Sequence, residues 1–249
     1  MFPSNFKPNG LFDLTRLGGN HDGGYLIEKT SIKNSNSLLS MGIGKNWKFE
    51  EDFVSANTVP THAYDHTVTG TFWLKFFIKG FLSALIGKAN GPSEAIKTYH
   101  SFKRFFNDKA THYKEQVGGG QSGHTNLKKS MDRLEKKPLF LKVDIEGSEY
   151  EILEEIISFS GTLSGLAIEF HKVSEHVTEI ENFINRFELQ LVHTHPNNNR
   201  VNNQGDSEGI EMTFSRDPLK IGEQSVLPHP LDQDNVPRKQ SVGLSFLSN

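Results

Sequence analysis

Short apolar segments typical of β-strands alternate with helical segments along most of the chain. The most strand-like of them, over 139–147, passes straight into a predicted helix over 148–159. Further strands are predicted at 37–44, 59–65, 111–117, 166–171, 188–195 and 210–215, and further helices at 47–57, 72–86, 93–106, 124–136 and 174–187. This alternation predicts an α/β fold with a doubly wound, mostly parallel sheet that binds ligands at the carboxyl ends of its strands. No helix separates the last two strands, so we expect them to form an antiparallel hairpin at one sheet edge.

The composition narrows the class of protein. A chain of 249 residues can bury a full core, so we predict a single domain over 1–249. Cysteine is absent, which excludes disulfide scaffolds, zinc ribbons, iron–sulfur clusters and thiol nucleophiles. The 27 basic and 30 acidic side chains nearly balance, so we do not expect the protein to bind nucleic acid through bulk charge. The N-terminus lacks a signal-peptide pattern, which makes the cytoplasm the expected location.

A basic segment follows the second predicted strand. Residues 71–110 carry seven basic and two acidic side chains, and we predict a helical insert there that either exposes its charges to water or meets an anionic substrate or surface. Within it, 72–86 has an apolar helical stripe next to Lys75 and Lys79; the stripe consists of Leu74, Ile78, Phe81, Leu82 and Leu85. This helix is too short and too charged to span a membrane. It either packs on the domain with its lysines in water or makes peripheral contact with a membrane.

A Gly-x-Gly turn ends the first predicted strand. Gly42 and Gly44 would let the backbone approach a ligand closely, and Asp65 at the tip of the second strand could accept both hydroxyls of a ribose. Residues 46–48 occupy the place of the third glycine of the dinucleotide motif, so a nucleoside without a pyrophosphate is the better match. The alternative is a plain turn with no ligand.

Three predicted strands end in pairs of ionisable residues with i, i+2 spacing, which places both members of a pair on the same side. The pairs are Asp144 and Glu146, Glu169 and His171, and His193 and His195. Because the carboxyl ends of parallel strands meet at one edge of a sheet, we expect these side chains to converge on one crevice. Carboxylates and imidazoles together suit proton transfer or a divalent cation. The alternative is that some of them cap loops or lie behind the site.

Two segments flank this alternating region. Asp22-Gly23-Gly24-Tyr25 precedes the first predicted strand and is either an ordinary loop or a flap that closes over a cofactor. Residues 217–249 contain four prolines, and we expect this C-terminal segment to be irregular.

One stretch resembles the signature of FkbM-type methyltransferases, which reads roughly Lys-x-Asp-x-Glu-Gly-x-Glu-x-x-x-Leu at a strand-to-helix junction. The matching positions are Lys142, Asp144, Glu146, Gly147, Glu149 and Leu153. Further segments resemble one branch of the same family, at 16–25, 40–50, 192–198 and 231–235. The matches therefore extend over most of the chain.

The resemblance implies a class I methyltransferase (Rossmann-like) fold of about seven strands, the last one antiparallel, with S-adenosylmethionine as methyl donor. By position, Gly42 and Gly44 would line the methionine end, Asp65 would hold the ribose hydroxyls, and Asp144 would lie beside the sulfonium and the acceptor. Ser40 replaces the acid that often opens the glycine motif in class I methyltransferases. Glu50 or Asp22 would then contact the methionine ammonium group.

These observations predict an S-adenosylmethionine-dependent O-methyltransferase whose acceptor is a hydroxyl of a sugar, glycan or related conjugate. A sugar hydroxyl is a weak acid, so it needs a base or a metal. His171 or His193 is the candidate base, and Asp144, Glu169 and His195 are the candidate ligands of a divalent cation. The alternatives are a nucleotide-binding oxidoreductase on a related fold and a non-catalytic module that binds a membrane or a protein.

Overall fold

The structure, a computed structural model, describes residues 1–85, 91–118 and 124–247. Its strands are β1 (Leu11–Phe12), β2 (Leu14–Leu17), β3 (Tyr25–Glu28), β4 (Ser37–Met41), β5 (Thr61–Tyr64), β6 (Thr111–Tyr113), β7 (Gln116–Val117), β8 (His124–Thr125), β9 (Leu139–Val143), β10 (Leu163–His171), β11 (Gln190–Val201), β12 (Ser207–Ser215) and β13 (Lys220–Gly222). Its α-helices are α1 (Lys29–Lys33), α2 (Lys48–Ala56), α3 (Gly70–Leu85), α4 (Gly91–Asp108), α5 (Leu127–Asp132), α6 (Leu153–Ser158) and α7 (Val173–Arg186). Short 3₁₀ helices cover Ser4–Phe6, Glu149–Ile152 and Ser160–Thr162.

A seven-stranded sheet organises the domain, with the strand order β11-β12-β10-β9-β4-β5-β6. β12 runs antiparallel to both of its neighbours, whereas β10, β9, β4, β5 and β6 are parallel. The chain leaves β4 toward β5 and β6 and later returns to build β9 and β10 on the other side. The topological switch point therefore lies between β4 and β9, where ligands bind in folds of this type. The predicted Rossmann-like class I methyltransferase fold, with its antiparallel hairpin at one edge, is confirmed.

The central strands are buried and mostly apolar because helices or the N-terminal hairpin cover both faces of the sheet. Every residue of β4, β9 and β10 is buried. On one face the core contains residues of α5, α6 and α7, including Met131, Ile156 and Phe183. On the other face α1, α2 and β3 pack against Leu38 and Phe140.

Two helices, α3 and α4, lie between β5 and β6, at the place predicted for the basic helical insert. Their inner faces form an aromatic cluster with α2, in which Trp47, Trp73, Phe102 and Phe106 are buried. Ile86, the predicted end of the first of these helices, lies outside the described residues. None of the helices in the described ranges is both long and apolar enough to cross a bilayer.

The chain ends contain structure that the sequence did not indicate. β2 and β3 form an antiparallel hairpin before the first strand of the main sheet, so the predicted loop at 22–25 is the turn of this hairpin and the start of β3. The C-terminal segment is mostly irregular, as expected, but β13 pairs with β1. Residues 248–249 lie outside the described residues.

Candidate functional site

A cavity of about 500 Å³ opens at the carboxyl ends of β4, β5, β9 and β10. Its walls bring together most of the predicted site residues from different parts of the chain. Asp22, Gly42, Gly44, Asp65, Asp144, Glu146, Glu169 and His171 all line it. A cavity of this size lies within the range that encloses a small-molecule ligand or a cofactor.

The glycine turn after β4 forms one wall of the cavity. Gly42 has a φ of 78° and Gly44 a φ of 48°, values that side chains disfavour. A Cβ atom on Gly42 would lie 1.7 Å from the carbonyl oxygen of Asp144, so only glycine allows β4 and β9 to approach this closely at their ends. The turn therefore fixes the relative positions of the glycine wall and the Asp144 wall.

Asp65, directly after β5, braces this turn. Its Oδ2 accepts hydrogen bonds from the amides of Ile43 (3.1 Å) and Gly44 (2.8 Å), and its Oδ1 accepts from the amide and the hydroxyl of Thr67. Burial alone would raise the pKa of Asp65, but these hydrogen bonds lower it below its ordinary value. The four bonds occupy the acceptor positions of the carboxylate. A ribose hydroxyl would therefore have to displace one of them, and the Thr67 hydroxyl is the one on a movable side chain.

The end of β9 carries the residues of the methyltransferase-like motif. Lys142 is buried and donates to the carbonyl oxygen of Gly42 (2.7 Å), while its Nζ lies 3.6 Å from Oδ2 of Asp144. Glu146 adopts a φ of 57°, a conformation that is uncommon outside glycine and is often found at functional sites. This sharp turn directs Asp144 and Glu146 toward the cavity rim.

Glu149, the second glutamate of the motif, fixes the orientation of His171. Glu149 is fully buried, and its Oε1 accepts both the backbone amide (2.8 Å) and the Nδ1 hydrogen (2.6 Å) of His171. Burial alone would lower the pKa of His171, but the hydrogen bond to Glu149 and the negative charge of Glu169 raise it to about 9. The imidazole therefore holds its Nδ1 against Glu149 and turns its Nε2 toward the cavity.

Three side chains with possible metal-ligand atoms meet in the cavity at the ends of β9 and β10. One such atom each from Asp144, Glu169 and His171 lies within 4.8 Å of the other two. The hydroxyl of Tyr25 on β3 lies 3.1 Å from Asp144 and 3.4 Å from Glu169, and Asn197 donates to Glu169 (2.8 Å). Burial and the charge of Asp144 raise the pKa of Glu169 well above its ordinary value.

His193 and His195 do not join this cluster, so the predicted convergence of three pairs is wrong for the third. β11 continues to Val201 through the asparagine-rich stretch that was not predicted as strand, and it brings Asn197, Asn199 and Arg200 to the cavity. The two histidines remain inside the strand, where their ring nitrogens lie 3.1 Å and 3.4 Å from Oδ1 of Asp232. His193 as base and His195 as metal ligand are thus not supported by their positions.

Glu50 also differs from the prediction. It lies on the buried face of α2, accepts a hydrogen bond from Ser40 and does not line the cavity. Burial raises the pKa of its carboxyl group. Asp22, the alternative contact for a methionine ammonium group, lies at the cavity wall.

The sequence reasoning missed four residues that build the site: Tyr25, Lys142, Glu149 and Asn197. Lys142 and Glu149 are part of the motif, so their presence there was a signal of a role. Tyr25 and Asn197 reach the cluster from distant segments, and only the fold shows that they contact Glu169.

Helix α3 exposes the apolar stripe that the sequence pattern defined. Leu74, Ile78, Phe81 and Leu82 are 50–60% exposed, because the aromatic face with Trp73 and Phe77 packs inward instead. The side chain of Leu85 lies outside the described set. Helix α3 therefore packs on the domain through its aromatic face, with Lys75 and Lys79 exposed, and the stripe itself faces outward.

Comparisons with known proteins add little to this geometry. No protein-family model matches the sequence, and no curated protein matches it. Among solved structures, the chain is similar to the METTL16 methyltransferase domain (10% identity, TM-score 0.41, covering 75% of this chain and 61% of that one). It is also similar to an rRNA methylase from Streptococcus thermophilus (10% identity, TM-score 0.40, covering 77% of this chain and 94% of that one). A third similar structure is M. capricolum TrmK in complex with S-adenosylhomocysteine (11% identity, TM-score 0.38, covering 80% of this chain and 69% of that one). Similarity this weak carries no argument about function, so the fold class rests on the strand order and directions of the chain itself.

Proposed function

We propose that the protein is an S-adenosylmethionine-dependent methyltransferase. The observation that carries the proposal is the cavity at the switch point, which lies between the Gly42 turn and Asp144 in a sheet with the class I methyltransferase strand order. The FkbM-type relationship rests only on the motif at 142–153 and the shorter matching segments. In support of it, the motif residues Lys142, Asp144 and Glu149 all take part in building the site.

The residues of the cavity fit this cofactor. The Gly42 and Gly44 turn gives a wall without side chains, and Asp65 offers a carboxylate next to the exposed His66 and Thr67. Asp22 supplies a further acid of the lining, next to Asn46. Gly42 and Gly44 would line the methionine end, Asp65 would hold the ribose hydroxyls in exchange for Thr67, and Asp22 would contact the ammonium group. S-adenosylmethionine supplies, when bound, an electrophilic methyl group on a sulfonium.

Asp144, Glu169 and His171 define the acceptor end. Transfer to a hydroxyl requires that its oxygen be aligned and its proton removed. With a pKa of about 9 when no cation is bound, the ion-free His171 is mainly protonated at pH 7, so in that state it donates a hydrogen bond rather than taking the proton. Removal of the proton then falls to the carboxylates of Asp144 and Glu169, which face the same space.

The charge around the acceptor end favours a neutral hydroxyl compound. Asp144, Glu146 and Glu169 line this part of the cavity together with Lys142, His171 and Arg200, so acidic and basic groups nearly balance and a phosphate backbone gains no net attraction. Carboxylates also accept hydrogen bonds from the neighbouring hydroxyls of a sugar. We therefore retain O-methylation of a sugar or glycan as the proposed reaction, with RNA methylation as the outcome that would contradict the acceptor class.

A second proposal concerns partners: the exposed face of α3 contacts anionic lipid. Its exposed apolar residues are flanked by Lys75 and Lys79, and exposed Lys97, Lys103 and Arg104 lie on the adjoining α4. An apolar stripe bordered by lysines matches the acyl and headgroup layers of an anionic membrane surface. Peripheral contact would bring the cavity close to an acceptor carried on a lipid.

Calorimetry with S-adenosylhomocysteine and with NADH tests the class of enzyme. We expect the wild type to bind S-adenosylhomocysteine and not NADH, and Asp65→Asn to weaken binding at least tenfold. Asp132→Asn, an exposed residue paired with Lys128 far from the cavity, is the matched control and should bind as the wild type does. Absence of S-adenosylhomocysteine binding would refute the proposal, and binding of NADH would favour the oxidoreductase. Asp144→Ala should bind the cofactor product and lose methyl transfer from labelled cofactor to a panel of sugars.

A further inference from the structure

Asp144, Glu169 and His171 form the most complete set of metal-ligand groups among the described residues. They come from the ends of two adjacent parallel strands, so the sheet itself sets their spacing. We propose that these three side chains bind one divalent cation of the Mg²⁺/Mn²⁺ class, with the remaining coordination positions open to the cavity. His171 takes the place that the sequence had given to His195.

The first argument is the way His171 is held. Its Nδ1 is fixed by buried Glu149, whereas its Nε2 forms no hydrogen bond among the described residues. Nε2 lies 3.8 Å from Glu169 Oε1 and 3.7 Å from Glu146 Oε2, too far for a hydrogen bond but on the side of the cluster. A metal-binding imidazole typically donates its other nitrogen to a carboxylate in this way, which fixes its orientation.

The second argument is charge. Glu169 is 6% exposed and lies beside Asp144, and in the described chain Lys142 is the only lysine or arginine within 4 Å of either carboxylate. The Nζ of that lysine is also committed to the Gly42 carbonyl oxygen. Glu169 is nearly buried and the Asp144 side chain is 23% exposed, so their two negative charges are costly unless a cation or a proton compensates them. A divalent cation between them would supply this compensation.

The donor set selects the kind of ion. Two carboxylate oxygens and one imidazole, without any thiolate, suit Mn²⁺ or Mg²⁺ better than a structural zinc site. Adjacent ligands of an octahedral ion at ~2.1 Å are roughly 3 Å apart. Since the donor atoms here lie within 4.8 Å of one another, the side chains need to close in by about an ångström or two. The Asp144 and Glu169 side chains can do so by rotating away from the Tyr25 hydroxyl.

The role of the ion rests on the proposed function: its open positions would hold the acceptor oxygen near the methyl donor. Binding of the ion itself does not require that function. The test therefore uses full-length, metal-free protein without cofactor or acceptor, and it follows Mn²⁺ by electron paramagnetic resonance and by water proton relaxation.

We expect one Mn²⁺ per chain, displaced by Mg²⁺, with binding weakened at least tenfold in Asp144→Asn, Glu169→Gln and His171→Asn. Glu149→Gln, which alters the positioning of His171 and the hydrogen bond from the Gly147 amide, should weaken binding by roughly 10- to 100-fold. His66→Asn is the matched control, because His66 is an imidazole that lines the same cavity away from the cluster.

The outcomes separate this inference from the proposed function. Each variant is also measured for its melting temperature and for S-adenosylhomocysteine binding, so a folding failure is not mistaken for a lost ligand. Loss of Mn²⁺ binding in the cluster variants, with His66→Asn unchanged, supports the site. If the wild type binds S-adenosylhomocysteine but no Mn²⁺ at millimolar concentration, or if His66→Asn weakens binding as much as His171→Asn does, the cation site is refuted and the methyltransferase proposal stands. If Mn²⁺ binds and S-adenosylhomocysteine does not, the cation site stands and the methyltransferase proposal is refuted.

Discussion

Substitution of the two glycines of the β4 turn separates backbone conformation from close packing. Gly42 and Gly44 both have positive φ, at 78° and 48°, so alanine is strained at either position. Their surroundings differ, however. A Cβ on Gly42 would lie 1.7 Å from the Asp144 carbonyl oxygen, whereas a Cβ on Gly44 would meet no atom within 4 Å. Gly44→Ala is therefore the matched control for Gly42→Ala.

The expected magnitudes follow from these distances. Placing alanine in a left-handed conformation costs roughly 1–2 kcal/mol at either position. At Gly42 the new methyl group must also push the Asp144 backbone outward by more than an ångström, and overpacking of this kind adds about 1–3 kcal/mol. We therefore expect Gly44→Ala to lower the free energy of unfolding by ~1–2 kcal/mol and Gly42→Ala by ~2–5 kcal/mol.

Urea unfolding gives the stabilities, and calorimetry with S-adenosylhomocysteine gives the effect on the site. Because Gly42→Ala moves Asp144 away from the cavity wall, the folded fraction of this variant should bind at least tenfold more weakly than the wild type. Gly44→Ala is the control for stability only, since Gly44 also lines the cavity. Equal destabilisation of the two variants, or normal binding by Gly42→Ala, would contradict the claim that the contact between Gly42 and Asp144 shapes the site.

Two further predictions concern charge and the surface. Since His171 has a pKa raised to about 9, its contribution to stability is complete below pH ~6.5 and is lost as the pH rises through 9, by up to ~3 kcal/mol. Urea unfolding of metal-free protein from pH 6 to 10 should show this loss in the wild type and a flatter profile in Glu149→Gln; identical profiles would contradict the pairing. The double variant Phe81→Ser, Leu82→Ser should bind phosphatidylserine vesicles at least tenfold more weakly in a sedimentation assay. Burying each of these exposed apolar side chains in the membrane contributes about 1.5–3 kcal/mol of binding free energy. Leu231→Ser, an exposed apolar residue of the C-terminal segment, is its control, and equal binding by all three proteins would remove the membrane proposal.

The sequence predicted the main sheet well because its central strands are short, mostly apolar segments that alternate with helical patterns. β4, β9 and β10 are fully buried, and β5 is buried except at His62. β1, β2 and β3 are two to four residues long and form separate two-stranded sheets, so they show no readable periodicity. The predicted helix over 124–136 likewise proved to be β8 followed by the shorter α5.

The candidate site was predictable where strand ends determine it and not where distant segments do. Asp144, Glu169 and His171 follow from the rule that parallel strands end at one edge of the sheet, and they do converge. Glu50 was misplaced because spacing alone does not show which face of α2 packs inward. Tyr25 contacts the cluster only because the β2–β3 hairpin packs against the same sheet, and this is a tertiary fact without a local signal.

The unexpected position of His193 and His195 explains how the irregular C-terminal segment contributes to the site. The two imidazoles beside Asp232 hold its pKa well below its ordinary value, although burial alone would raise it. Three residues further on, Asn235 donates from its side chain to Glu211 (2.6 Å) and accepts the backbone amide of Asp22 at its carbonyl oxygen (3.2 Å).

The second of these bonds connects the segment to the cavity, because Asp22 and Gly23 belong to its wall. A segment without regular structure is held in place only by specific contacts, since it has no hydrogen-bonded ladder of its own. The buried contacts of Asp232 with His193 and His195 are of this kind, and the hydrogen bond from Asp22 to Asn235 ties the turn at 22–23 to the same segment. We therefore expect the two histidines to affect the cavity only indirectly, by holding the C-terminal segment that contacts its wall at Asp22. They lie in the interior of β11 and do not line the cavity.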